Sequence, residues 1–182
     1  PTEVHIETQT VCNAACVFCP YPDLDRKGNK MSDQLIDKIT DDLREIPSDV
    51  KFNVSPFKVS DPFLDKRLFA ITKKINHELP NASLRLFTNG SALTDKNLED
   101  TREIKNLKNL WISLNEVDDE RYFALMGIKI EKVLKNLDNL HSKVSAGYPH
   151  SVVLSRVADR TAADKEFLDF TTKRYPLFKN ML

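Results

Sequence analysis

Glycine is scarce in this sequence: four residues in 182, none of them set in a GxGxxG or GxxxxGK(S/T) pattern. The glycine-rich turns that cradle dinucleotides and nucleoside triphosphates are therefore excluded. No apolar run approaches the roughly 18 residues needed to cross a bilayer, so no membrane role is expected. The opening Pro1-Thr2-Glu3-Val4-His5 has neither the basic nor the apolar region of a secretory leader, and it begins without Met, as a chain trimmed at that end would. Neither sign of charge is in excess, with 27 Lys+Arg against 27 Asp+Glu. That balance excludes a chain built to coat nucleic acid, and equally a strongly acidic one. What is present is an ordinary globular composition, 41% apolar and 30% charged, at a length that suits one domain over residues 1–182.

Cysteine is also rare, but its three copies, Cys12, Cys16 and Cys19, fall in one short segment. An odd number so tightly grouped makes a poor disulfide framework. With no leader, a reducing cytoplasm is the expected compartment, and there clustered thiols mean metal or catalysis. The spacing reads C-x3-C-x2-C. Three thiolates from one loop can hold three irons of a cubane 4Fe–4S cluster and leave the fourth iron open for a ligand. An electron-transfer ferredoxin would want four cysteines per cluster. A structural zinc site also wants four ligands, yet only Cys16 and Cys19 form a C-x2-C pair, and the nearest histidine, His5, would have to fold back. Three small buried thiols grouped by chance complete the alternatives.

Hydrophobic periodicity places this loop in a repeating frame. Residues 3–8 alternate as a strand, and the cysteine segment follows at once. Ser32 then caps a helix to about Ile46. Strands follow near 51–56, 83–88, 109–114 and 151–157. Helices follow them over Leu64–Leu79, Thr94–Lys105, Asp118–His141 and from Thr161 or Ala162 to about Tyr175. Five strands, each followed by a helix, predict parallel pairing with right-handed crossovers, as an open doubly wound sheet or as a partial or complete β/α barrel.

A cysteine loop of this spacing, directly after the first strand of a βα repeat and with Phe18 before its last cysteine, resembles the radical S-adenosylmethionine (SAM) superfamily. The resemblance covers nearly the whole chain. It implies an α/β fold, a partial (β/α)6 barrel, with about five βα units visible here. It implies two cofactors, a 4Fe–4S cluster on Cys12, Cys16 and Cys19 and SAM on the open iron. One electron from the cluster would cleave SAM to methionine and a 5′-deoxyadenosyl radical that abstracts hydrogen from substrate. Partners would be an electron donor such as flavodoxin or ferredoxin, and a polar substrate.

The resemblance also suggests which side chains meet SAM. Val59-Ser60-Asp61-Pro62 stands where the family usually has Gly-Gly-Glu-Pro, so Ser60 and Asp61 are expected at the SAM amino group. The lost glycines put the local backbone in question if it needs positive φ. The alternative is an ordinary turn with Pro62 opening a helix. Thr88 and Asn89, before Gly90, match the family's third-strand ending, although Asn-Gly is also a plain turn signal. Ser113 and Asn115 lie two apart on the fourth strand and share a face. Arg156, in an apolar strand, needs an anion. The SAM carboxylate is one candidate, a salt bridge to Asp159 or Glu116 the other. His77, His141 and His150 read as surface or capping residues.

The sixth strand that the family uses to close its barrel is not legible before Leu182, as expected either of a very short member or of a fragment of a longer protein. His5, Glu7, Lys51 and Asn53 suit a polar substrate, whether peptide, sugar or nucleoside. Two readings compete with a radical SAM enzyme. One is a non-catalytic three-cysteine zinc or redox-sensing protein. The other is a degenerate member that keeps the cluster without cleaving SAM.

Overall fold

The computed structural model describes residues 3–182. Six strands form one parallel sheet in chain order: β1 (Glu3–His5), β2 (Phe52–Ser55), β3 (Ala82–Thr88), β4 (Leu107–Ser113), β5 (Ser151–Ser155) and β6 (Lys179–Met181). Between them run α1 (Asp33–Leu43), α2 (Leu68–Glu78), α3 (Asp95–Arg102), α4 (Asp119–Met126), α5 (Ile130–Ser145) and α6 (Ala162–Arg174). β1 and β6 are the two edges of the sheet, so it curves as a partial barrel and does not close.

Alternation along the strands decides the two faces. In β3, Leu84 and Leu86 are fully buried beneath the helices, while Arg85 and Phe87 are half-buried on the concave side. In β4, Leu110 and Ile112 go under the helices, and Trp111 and Ser113 face the concavity. Helix caps fall where the polar residues predict them. Ser32 accepts from the Leu35 N–H, Thr94 from the Asn97 N–H and Thr161 from the Ala163 N–H, each supplying an acceptor to an otherwise unpaired donor.

Two elements depart from the sequence reading. A sixth strand is present: β6 pairs with β5 in parallel, with Leu154 opposite Asn180. Its three residues, Lys-Asn-Met, carry no strand signal of their own, and tertiary pairing makes the strand. The single helix expected over Asp118–His141 is two helices, α4 and α5. Gly127 takes the left-handed conformation (φ 69°) and ends α4. Smaller differences lie at the ends, where β1 is three residues rather than six and a short 3-10 turn, Pro62–Leu64, precedes α2.

Candidate functional site

The three cysteines sit at the C-terminal edge of the sheet, where β/α folds place ligands. The loop is held there by backbone bonds to its neighbours. The Ala15 and Val17 N–H groups donate to the carbonyls of Met126 and Leu125, each at 3.0 Å. Those carbonyls close α4 and have no partner within it, so the break at Gly127 presents the acceptors that dock the cysteine loop. The packing is close: a Cβ on Gly127 would lie 3.0 Å from the Ala15 Cβ and 3.2 Å from its N. On the other side, the Asp61 N–H donates to the Val11 carbonyl at 3.0 Å.

A cavity of about 230 Å³ opens at this edge. Cys12, Cys16, Cys19, Phe18, Ser60, Asp61, Thr88, Asn89, Ser113 and Asn115 all line it. The structure thus brings together every residue the sequence singled out for the cluster and SAM except Arg156. The Arg156 guanidinium is engaged elsewhere: its Nε donates to Asp164 at 2.8 Å, one terminal nitrogen to Asp159 at 2.7 Å, and the other to the Asn115 carbonyl, with Glu116 at 3.8 Å. These carboxylates give its buried charge anionic partners. Arg156 thus makes the salt bridges to Asp159 and Glu116 that were its alternative reading, and with Asp164 it braces the ends of β4 and β5 against the start of α6.

The lining side chains differ in what they leave open. Asp61 accepts from the Thr88 hydroxyl (2.8 Å) and from the N–H groups of Asn89 (3.0 Å) and Phe63 (3.0 Å). Burial raises its pKa while those three bonds oppose the rise. Asp61 thus caps the Pro62 turn and also ties β3 to the loop after β2. Neither Val59 nor Ser60 has positive φ; Arg160 is the one non-glycine residue that does among the described residues, so loss of the two glycines strains nothing here. Asn89 donates to Asn13 at 2.9 Å and lies 3.9 Å from the Cys12 sulfur. Asn115 places its amide between the Met126 sulfur and the Val157 N–H. The hydroxyls of Ser60 and Ser113 make no hydrogen bond among the described residues. Lys58, the one cation on the cavity wall, makes no ion pair among them either.

Sequence reasoning missed Asn13, which also donates to Ser91 at 2.8 Å, and Met126, whose Sδ is 3.6 Å from the Cys16 sulfur. The signal for Met126 was the glycine after it. Glu7, expected to suit a substrate, instead accepts from the Val59 N–H at 2.8 Å and pairs with Arg26. Lys51 is exposed just outside β2. His5 does face the concavity and begins an aromatic strip through Phe57, Phe87 and Trp111, with ring centroids 5.9, 5.3 and 4.7 Å apart. His141, expected at the surface, is half-buried, and its ring packs on Tyr175 and Phe178.

A family model described as "Radical SAM superfamily" matches residues 6–169. The chain belongs to the radical SAM superfamily. Solved structures share its fold. Streptococcus suis SuiB bound to the precursor peptide SuiA superposes with a TM-score of 0.70 at 16% identity, over 96% of this chain and 37% of that one. Native anSMEcpe with bound AdoMet gives 0.70 at 17%, over 99% of this chain and 51% of that one. BtrN with AdoMet and 2-DOIA gives 0.57 at 17%, over 84% of this chain and 69% of that one. At these identities the likeness is one of fold, and the chain spans well under half of that first SuiB structure. No protein of curated function matches the sequence.

The donor set fits the radical SAM cluster better than a single ion. Among the described residues, no three His, Cys, Asp or Glu side chains converge on a position one metal could occupy. The three thiols all line the one cavity; burial raises Cys12 and pushes Cys16 up to about 11, with Cys19 adding to Cys12, and Cys12 and Cys19 to Cys16. A cubane takes one thiolate per iron, so sulfurs spread around a cavity suit it, while a tetrahedral zinc needs them at one point. Among the described residues no helix is long and apolar enough to cross a membrane.

Proposed function

We propose that this chain is the core of a radical SAM enzyme in which Cys12, Cys16 and Cys19 each hold one iron of a 4Fe–4S cluster and the adjoining cavity takes SAM. The observation that carries the reading is the meeting, in one cavity, of the three cysteines with the ends of β2, β3 and β4. A cluster held by Cys12, Cys16 and Cys19 would supply one-electron reductive cleavage of SAM as the source of hydrogen abstraction from a polar substrate. The chain's own residues bind and orient. The unspent hydroxyls of Ser60 and Ser113 are free to meet polar atoms of SAM, and Asp61 has a fourth lone-pair site left for its ammonium group. Lys58 replaces Arg156 as the cation available to the SAM carboxylate. Thr88, Asn89 and Asn115 act mainly by holding these groups in place, and Phe18, half-exposed at the wall, offers an apolar face. An electron donor of the flavodoxin or ferredoxin class completes the reaction.

The test is to supply anaerobically reconstituted protein with SAM and dithionite and assay 5′-deoxyadenosine. Product well above a Cys16→Ala control supports the enzyme. A full cluster that yields no product above that control favours a degenerate member instead.

A further inference from the structure

α4 turns two buried side chains, Tyr122 and Met126, toward one side, since residues four apart share a helix face. Met126 brings its sulfur to 3.6 Å from the Cys16 sulfur, so this face backs the Cys16 ligand. The Tyr122 ring thus stands one helical turn from the Met126–Cys16 contact, and burial raises its phenol, with the charge of Cys16 raising it further. Tyr122 is fully buried, yet its hydroxyl has no hydrogen-bond partner among the described residues. A buried phenol normally finds one, and leaving it unpaired costs the folded chain free energy.

We propose that Tyr122 is a hydrogen-bond donor to the iron–sulfur cluster, its O–H reaching the Cys16 thiolate or a sulfide beside it once iron is in place. This rests on the cluster reading above. Reduction adds negative charge to the thiolates and sulfides, so a donor aimed at them stabilises the reduced form more than the oxidised one and raises the midpoint potential. The phenol keeps its proton throughout, and no bond is made or broken at Tyr122.

Tyr122→Phe removes the donor and keeps the ring. Cluster-free Tyr122→Phe should melt no lower than the parent, because the hydroxyl it loses was unpaired. Reconstituted Tyr122→Phe should have a more negative midpoint potential by redox titration, on the order of a tenfold smaller reduced-to-oxidised ratio at a fixed poise, or about 59 mV for one electron. Lower iron retention by a variant whose cluster-free melt is normal also supports the proposal. An unchanged potential at full iron content overturns it. So does a lower cluster-free melting temperature, which would show that the hydroxyl already serves the protein fold. A parent that takes up no iron overturns this proposal together with the cluster reading, which separates the two failures.

Discussion

Arg156 shows how far a single residue can be read. Its position in an apolar strand predicts an anion partner, and it has three: Asp164, Asp159 and Glu116. Two of these lie downstream around the start of α6, and the local pattern around Arg156 is the same whether the anion is a ligand or a carboxylate. Arg156→Ala should therefore lower the melting temperature of cluster-free protein by on the order of 5–10 °C and leave the SAM affinity of the folded fraction unchanged, by calorimetry and by titration. The Arg156 hydrogen bond holds Asp164 below the usual carboxylate range, and bonds from Thr161, with the Arg156 charge, do the same for Asp159. Groups lowered in the folded state contribute stability that is fully present above about pH 4 and lost as acid carries the pH through the lower native values. The variant should lose less stability than the parent across that window. Lys58→Ala is the converse case: binding should weaken several-fold, as for one exposed charge contact, with no change in melting temperature. Equal SAM affinity in Lys58→Ala and parent would leave the carboxylate without its proposed partner.

The break between α4 and α5 belongs to the scale of elements. Gly127 lets the last carbonyls of α4 face the cysteine loop and leaves no room for a side chain against Ala15. Gly147 is a useful control, since it has φ +92° but nothing within 4 Å of where a Cβ would stand. Gly147→Ala should show only the left-handed backbone cost, about 1–2 kcal/mol. Gly127→Ala should cost more in denaturant melts and should expose the cysteine segment to limited proteolysis. Equal costs for the two would show that the loop does not depend on this contact. Much of the element order was legible because parallel strands under helices carry strong periodicity, as in Leu84 and Leu86 or Leu110 and Ile112. The helix break was not, because the apolar stripe from Tyr122 to Leu140 runs through Gly127 at helical spacing. β6 was not legible either, since Lys179–Met181 is half-polar and pairs only because β5 offers it an open edge.

At the scale of the whole molecule, the cysteine loop is a clasp between the two halves of the sheet's C-terminal edge. It meets the loop after β2 through Val11 and Asp61, the turn after β3 through Asn13 and Asn89, and α4 through Ala15 and Val17. The cysteines themselves were legible because ligand chemistry demands their spacing. The clasp was not, because its bonds join residues far apart in the chain, as in Ala15 to Met126, and nothing local to either residue marks the other. A ligand held by all three cysteines that binds the folded chain more tightly than the unfolded one stabilises the fold by mass action. The reconstituted protein should therefore melt well above the metal-free form. The most direct test of the account is the iron and acid-labile sulfide content of the anaerobically reconstituted chain. The account predicts about four of each per chain, lost when Cys12, Cys16 or Cys19 is replaced by Ala. A colourless protein carrying a single zinc, or full cluster content in the Cys16→Ala variant, would contradict it.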